Sequence, residues 1–395
     1  MDLIDRTRLR DEIRMLIRSN AVTAILGPRQ CGKTTLARMM AAERLSMWLD
    51  CEDLLSKARL KEPMRLLESA RGLVVIDEIQ LMPELFPILR VLADRRPQKA
   101  KFLILGSTSP ELATQAGESL AGRVAYLPIS GFQIDEVGAA NVDRLWWRGG
   151  FPRAYLARSA KEARTWVDNF IQTFLERDMG ILNFRADPER VRRFWAMLAH
   201  MHGGKWNAAE LSRSLALHNN TVLSYFEFLQ RAFMIRVVRP WHVNIDKREV
   251  KAPKVYIRDT GILHALLRLV DFDQLFEHPK LGYSWEGFVL EELIRLVGER
   301  NVYFWAVHTG GELDFLVHWR GKLIGVEVKR GDAPTRTKSM TLAMSALKLD
   351  RLYVVYPGDT PYPIGDNMEV IPLTGLAEAL APPRSRMAIM KYSAT

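Results

Sequence analysis

Cysteine is almost missing from this chain: Cys31 and Cys51 are the two among 395 residues. Two thiols cannot build a disulfide framework, and neither has a neighbour at metal-ligand spacing. Long apolar runs are missing as well. None approaches the roughly 18 residues that a membrane span needs. The opening Met1-Asp2-Leu3-Ile4-Asp5-Arg6 mixes both charges and has no apolar secretory segment. The expectation is a cytoplasmic protein that does not enter a membrane. Negative charge is in short supply, with 46 Asp and Glu against 56 Lys and Arg, a net charge of +10. That excess favours an anionic partner. Otherwise 48% hydrophobic and 26% charged residues are ordinary for a soluble globular protein, and the length allows two or three domains with substantial cores.

What is present concentrates first at Gly27-Pro28-Arg29-Gln30-Cys31-Gly32-Lys33-Thr34-Thr35. The apolar run Val22-Thr23-Ala24-Ile25-Leu26 precedes it, and the helical pattern Leu36-Ala37-Arg38-Met39-Met40 follows. A strand feeding a glycine-rich turn that opens a helix gathers backbone N–H groups and the positive end of the helix dipole around one anion. The pattern predicts a nucleoside triphosphate site. Lys33 would reach the β- and γ-phosphates, and the Thr34 hydroxyl would hold Mg²⁺. Cys31 reads as a small buried filler within the loop.

Leu73-Val74-Val75-Ile76 reads as a buried parallel strand, and it ends in Asp77-Glu78. Asp77 suits the coordination sphere of Mg²⁺, and Glu78 suits polarisation of a water attacking the γ-phosphate. A third strand, Lys101 to Leu105, runs into Gly106-Ser107-Thr108, where Ser107 and Thr108 could sense the γ-phosphate or cap a helix. Two readings stand for Arg123, after Leu120-Ala121-Gly122: a charge-stabilising finger acting in its own or a neighbouring subunit, or a surface ion pair. Arg177-Asp178 could form an intrahelical or interdomain pair, or Arg177 could reach a nucleotide. Trp146, Trp147, Trp166, Phe170 and Phe174 are spaced for a helix-packing face.

Asn207 to Val238 carries two amphipathic helices around the polar turn His218-Asn219-Asn220-Thr221, followed by a strand-like stretch. This is the pattern of a helix-turn-helix with a wing. Farther on, Gly311 to Val317 and Leu323 to Arg330 read as two strands joined through Arg320-Gly321-Lys322. Alternation puts Glu327 and Lys329 on one face, within reach of Asp314 on the neighbouring strand. Two carboxylates and a lysine at one point suit a metal-dependent phosphodiesterase. In it Asp314 and Glu327 hold Mg²⁺ or Mn²⁺, Lys329 orients water, and Glu286 on a helix supplies a further ligand.

Together with Leu120-Ala121-Gly122-Arg123, Gly149-Gly150-Phe151-Pro152, Arg177-Asp178, Lys254-Val255-Tyr256 and Asp259-Thr260-Gly261, these motifs follow an order that resembles one family. It comprises bacterial and archaeal AAA-type ATPases with a C-terminal PD-(D/E)XK nuclease-like domain. The segment Phe304 to Gly310 departs from it by having no arginine where a basic residue is expected. The resemblance implies an α/β protein with three parts. They are an AAA+ P-loop parallel-sheet core over 1–140, a helical lid and winged helix over 141–248, and a restriction-endonuclease-like α/β domain over 249–395. With the charge and the motifs, the leading expectation is an ATPase using ATP and Mg²⁺ that acts on branched or duplex DNA in repair or recombination as a homo-oligomer such as a hexamer; the alternatives are a nucleotide-controlled protein-binding switch with a nuclease-like scaffold and an ATP-gated DNA endonuclease.

Overall fold

The computed structural model describes residues 4–107, 120–182, 184–241, 252–307 and 310–382. Thr108 lies outside them. The chain divides into two compact units, one formed by Met1–Gly138, Arg148–Arg185 and Tyr225–Met234, the other by Ala139–Trp147, Ala186–Ser224 and Ile235–Thr395. The stretch expected as one middle domain, 141–248, is thus shared between them. Among the described residues no helix is long and apolar enough to cross a membrane.

The first unit is built on five parallel strands: β1 (Val22–Leu26), β2 (Leu45–Asp50), β3 (Gly72–Asp77), β4 (Ala100–Gly106) and β5 (Val124–Pro128). Their order is β2-β3-β4-β1-β5. β1 sits between β4 and β5, and all five of its residues are buried, which is why its sequence is a continuous apolar run instead of an alternation. The helix Leu85–Asp94 buries Leu85, Phe86, Leu89, Leu92 and Ala93, one face at helical spacing. Leu85, Phe86 and Leu89 join Val74, Ile76, Phe102 and Ile104 in the core under the sheet. Parallel pairing brings the C-terminal ends of β1, β3 and β4 to one edge. The loops that leave that edge therefore converge.

After β5 the chain turns back through Gly131 and Gly150, whose backbones touch. The amide of Phe132 donates to the Gly150 carbonyl at 2.6 Å, and a Cβ on either glycine would collide with the other segment's main chain. The helix Ala160–Thr173 follows, its start capped by Ser159, which accepts from the Glu162 amide. It runs into a π-helical turn, Phe174–Asp178. Trp166, Phe170 and Phe174, four residues apart, stack in succession, and Phe174 continues onto Phe228, which stacks on Phe184 at 4.2 Å. The aromatic stripe is core, as its spacing predicts.

In the second unit β6 (Gly204–Lys205), β7 (Ile235–Val238) and β8 (Lys254–Ile257) form a small sheet ordered β6-β8-β7, preceded by the helix Pro188–His200. The helices Ala208–Leu215 and Asn219–Arg231 stand between β6 and β7 in sequence. The helix Leu281–Val297 leads into a mixed sheet of β9 (Val302–Ala306), β10 (Glu312–Trp319), β11 (Lys322–Val328), β12 (Arg351–Tyr356), β13 (Tyr362–Gly365) and β14 (Met368–Pro372). β9, β10 and β11 form an antiparallel meander, and β12 joins β11 in parallel. Arg320 and Gly321 make the β10–β11 turn with φ of 53° and 74°, the two positive values that a tight two-residue hairpin requires.

Replacing Gly131 by alanine forces two backbones apart. We expect a loss of about 1–3 kcal/mol in urea-unfolding free energy, the usual cost of overpacking, whereas Gly122→Ala, with open space around it, should cost less despite its positive φ. Equal effects would contradict the packing described.

Candidate functional site

The loop leaving β1 is shaped by two residues with positive φ, Gln30 at 63° and Gly32 at 100°. At Gly27 a Cβ would strike the Ile129 carbonyl oxygen, so the loop entrance accepts glycine alone without displacement. Lys33 opens the next helix, and its ammonium donates to the carbonyls of Gly27 and Pro28, both at 2.9 Å. Thr34 Oγ1 donates to Asp77 Oδ2 at 2.9 Å, joining the loop to the end of β3. Burial raises the Asp77 pKa, and the nearby Glu78 adds to the effect. Glu78 takes a left-handed φ of 49°, a conformation that turns the chain out of the strand. Ser107, at the end of β4, sets its hydroxyl 2.9 and 2.7 Å from the two carboxylate oxygens of Glu78, and Gln80 also donates to Glu78.

Lys33, Thr34 and Glu78 line a cleft of about 590 Å³. Lys33, Thr34, Thr35 and Glu78 form its polar end, and Met39, Phe132, Pro152 and Leu156 its apolar side. A hydroxyl and a buried carboxylate in direct contact are oxygen donors of the kind Mg²⁺ takes. Thr34 and Asp77 therefore fit a phosphate-bound Mg²⁺. Cys31 and Cys51 are free and buried, and burial pushes the Cys51 thiol up to about 12.

Two arginines carry more of this site than their sequence context indicates. Arg29, within the loop, reaches Asp178 Oδ1 at 2.6 Å, pairs with Glu52 and stands 4.0 Å from Glu78. Burial works against its charge, but Asp178 and Glu78 more than offset this and raise its pKa. Arg6 is buried and donates to the carbonyls of Cys31, Ser130 and Gly131 and to Glu136 at 2.7 Å. It fastens the phosphate loop to the segment after β5. No local pattern marks either role, because the partners lie far away in the chain.

Arg123 and Arg177 are not brought to the loop. Arg123 precedes β5, at the opposite edge of the parallel sheet, and its guanidinium holds both oxygens of Asp94 at 2.6 and 2.8 Å. The ion-pair reading describes its place within this chain. Arg177 is exposed on the π-helical turn, while its neighbour Asp178 is buried against Arg29.

In the second unit Glu286, Asp314, Glu327 and Lys329 do come together. Lys329 Nζ donates to Glu327 Oε1 at 2.7 Å, as alternation along the strand predicts. The Val328 amide donates to Asp314 Oδ2 at 2.9 Å, and the Asp314 amide to Glu327 Oε2 at 3.5 Å. Burial, with repulsion from Asp314, pushes Glu286 up to about 8 and Glu327 to about 7, and burial raises Asp314 too. Two further residues belong here, Lys254 and Tyr256 of β8. The Tyr256 hydroxyl donates to Glu286 Oε1 at 2.5 Å; the Lys254 ammonium lies 3.4 Å from the same oxygen and 2.7 Å from Glu312 Oε1. The expected metal set of Glu286, Asp314 and Glu327 thus meets protein donors and an ammonium. Among the described residues no group of three or more His, Cys, Asp or Glu side chains is arranged to hold a metal ion. The donor set does not fit a resident divalent cation.

The helix-turn-helix pattern does form two helices, and one face of the second is core. Val222, Tyr225, Phe226, Phe228 and Leu229 are buried, and Arg231 and Glu227 pair with each other. His218, Asn219 and Asn220 are exposed at its start, whereas Thr221 and Ser224 are partly covered.

Comparison with known proteins divides the chain into three. Residues 19–138 match the AAA domain, 139–273 a domain of unknown function (DUF8612), and 281–376 another (DUF4143). The structure of the Walker-type ATPase PABY2304 of Pyrococcus abyssi has a similar fold, with a TM-score of 0.51 and 16% identity, covering 67% of this chain and 96% of that one. Two relatives, the uncharacterized proteins Rv2008c of Mycobacterium tuberculosis and Mb2031c of Mycobacterium bovis, are each 44% identical over 370 residues, 94% of this chain and 84% of theirs. This chain belongs to the family of those two mycobacterial proteins, and its first unit carries an AAA-type ATPase domain.

Proposed function

We propose that the chain hydrolyses ATP and uses the cycle to act on DNA, branched or duplex, as a homo-oligomer such as a hexamer in repair or recombination. The observation that carries the first half is the meeting of Lys33, Thr34 and Glu78 at one cleft, with Asp77 bonded to Thr34 and Ser107 to Glu78 behind them. Lys33 exchanges its carbonyl partners for β- and γ-phosphate oxygens. Thr34 and Asp77 hold Mg²⁺, which when bound neutralises charge on the phosphoryl oxygens. Glu78 accepts the proton of the water that attacks the γ-phosphorus as the bond to the ADP oxygen breaks, and Ser107 holds that carboxylate in line. In an oligomer the partly exposed Arg123 or the exposed Arg177 is the arginine one copy would offer to another's phosphates.

Support for DNA comes from the net charge of +10 and from the order of helices and strands around β6, β8 and β7. The small number of exposed side chains on the second helix favours backbone contact over base readout. Metal-dependent cutting at Glu286, Asp314, Glu327 and Lys329 is left out of this reading, because Lys254 and Tyr256 already engage Glu286.

Glu78→Gln should retain ATP binding and lose about 10²- to 10⁴-fold in turnover, the usual worth of a general base. Unchanged turnover would remove Glu78 from that role. Turnover of the wild type should rise with linear, forked or four-way DNA, and DNA affinity should fall steeply as salt is raised. A rate indifferent to all three DNAs, with salt-insensitive binding, would point to a protein partner under nucleotide control.

A further inference from the structure

We propose that Lys254 is the resident cation of the acid cluster in the second unit. Its ammonium takes the charge-balancing place of a divalent ion, so the unit assembles without one. The inference is independent of whether the first unit hydrolyses ATP.

Four carboxylates gather here on three different elements, Glu286 and Glu327 buried and Glu312 at the rim, its side chain 46% exposed. Glu286 comes from the helix Leu281–Val297, Glu312 and Asp314 from β10, and Glu327 from β11. Left alone such a group repels itself, and buried oxygens need either protons or a positive partner. Lys329 answers Glu327 from the rim, where its side chain remains 41% exposed. Lys254 answers Glu286 and Glu312 from inside, with its side chain 4% exposed.

Lys254 cannot easily withdraw. It sits on the central strand of its sheet, paired with Lys205 of β6 on one side and Val238 of β7 on the other. Its ammonium also stands 5.5 Å from the ring centre of Phe304 on β9. Tyr256, two residues along the same strand, donates to the Glu286 oxygen nearest to Lys254. A divalent ion bound among these oxygens would have to share them with a fixed ammonium and strip Glu286 of a phenol hydrogen bond. Both requirements oppose it.

The claim is testable on the full chain without nucleotide, by titrating Mn²⁺ and reading the free ion by electron paramagnetic resonance. Wild type and Asp314→Asn should give the same isotherm, with no Asp314-dependent site tighter than about 1 mM. An ion held at Thr34 and Asp77 is recognised by its indifference to Asp314→Asn. Lys254→Met should gain one Mn²⁺ per chain at least about tenfold tighter than any wild-type site in this unit, and Asp314→Asn in that background should abolish it. One Asp314-dependent Mn²⁺ in the wild type would overturn the proposal, as would a folded Lys254→Met that gains none. Should Lys254→Met fail to fold, the wild-type and Asp314→Asn isotherms decide alone, supported by melting temperatures. Equal responses of both proteins to Mn²⁺ and to chelator uphold the internal cation; a wild-type melting point raised by Mn²⁺ and lowered by chelator, with that response lost in Asp314→Asn, rejects it.

Discussion

A hydrogen bond of 2.9 Å from Thr34 to Asp77 ties the phosphate loop after β1 to the end of β3, two strands separated in the sheet by β4. The first unit's chemistry depends on that bridge. It works because parallel pairing sets all the strand ends at one edge, where backbone amides and the start of a helix can face an anion while carboxylates stand across from them. The same arrangement explains why β1, β3 and β4 are apolar nearly throughout, while the glycine-rich loop, Asp77 with Glu78, and Ser107 stand at their C-terminal ends. Sheet burial and site construction are two consequences of one topology.

Around that bridge the ion pairs form a second layer of control. Arg29 gathers Asp178, Glu52 and Glu78, so a residue of the phosphate loop, the acid beside the cleft and the π-helical turn share one guanidinium. Arg6 does the equivalent with backbone carbonyls on the other side of the loop. Buried and multiply bonded arginines of this kind fix geometry more than they add net stability. In the second unit the logic is inverted: a buried ammonium balances a knot of carboxylates, and a site that resembles a metal centre in sequence is filled by the protein itself.

Much of this was legible in the residue order. The loop from Gly27 to Thr35, the carboxylates Asp77 and Glu78, the tight turn at Arg320 and Gly321, and the shared face of Glu327 and Lys329 all follow from local rules of period and turn chemistry. The partnership of Arg29 with Asp178 spans 149 positions and has no periodic signature. Lys254 and Tyr256 were visible as part of a motif but not as occupants of the acid cluster, because alternation tells which face a side chain takes and not which cavity it enters. The helix at Asn219 read correctly as amphipathic; its apolar face buries Val222, Tyr225, Phe226, Phe228 and Leu229, and its polar face carries a single cation, Arg231, paired with Glu227. Arg123 lies away from the phosphate loop for a topological reason, since it precedes a parallel strand and the site follows one, and within this chain it takes the ion-pair alternative.

The central claim is that polyphosphate is held by the loop amides together with the Lys33 ammonium. Equilibrium binding of a fluorescent ATP analogue to the wild type and to Lys33→Ala tests it most directly. Saturable wild-type binding, weakened about a hundredfold or more in the variant as a buried charge-assisted contact disappears, is the predicted result. Equal affinity in both proteins would contradict it.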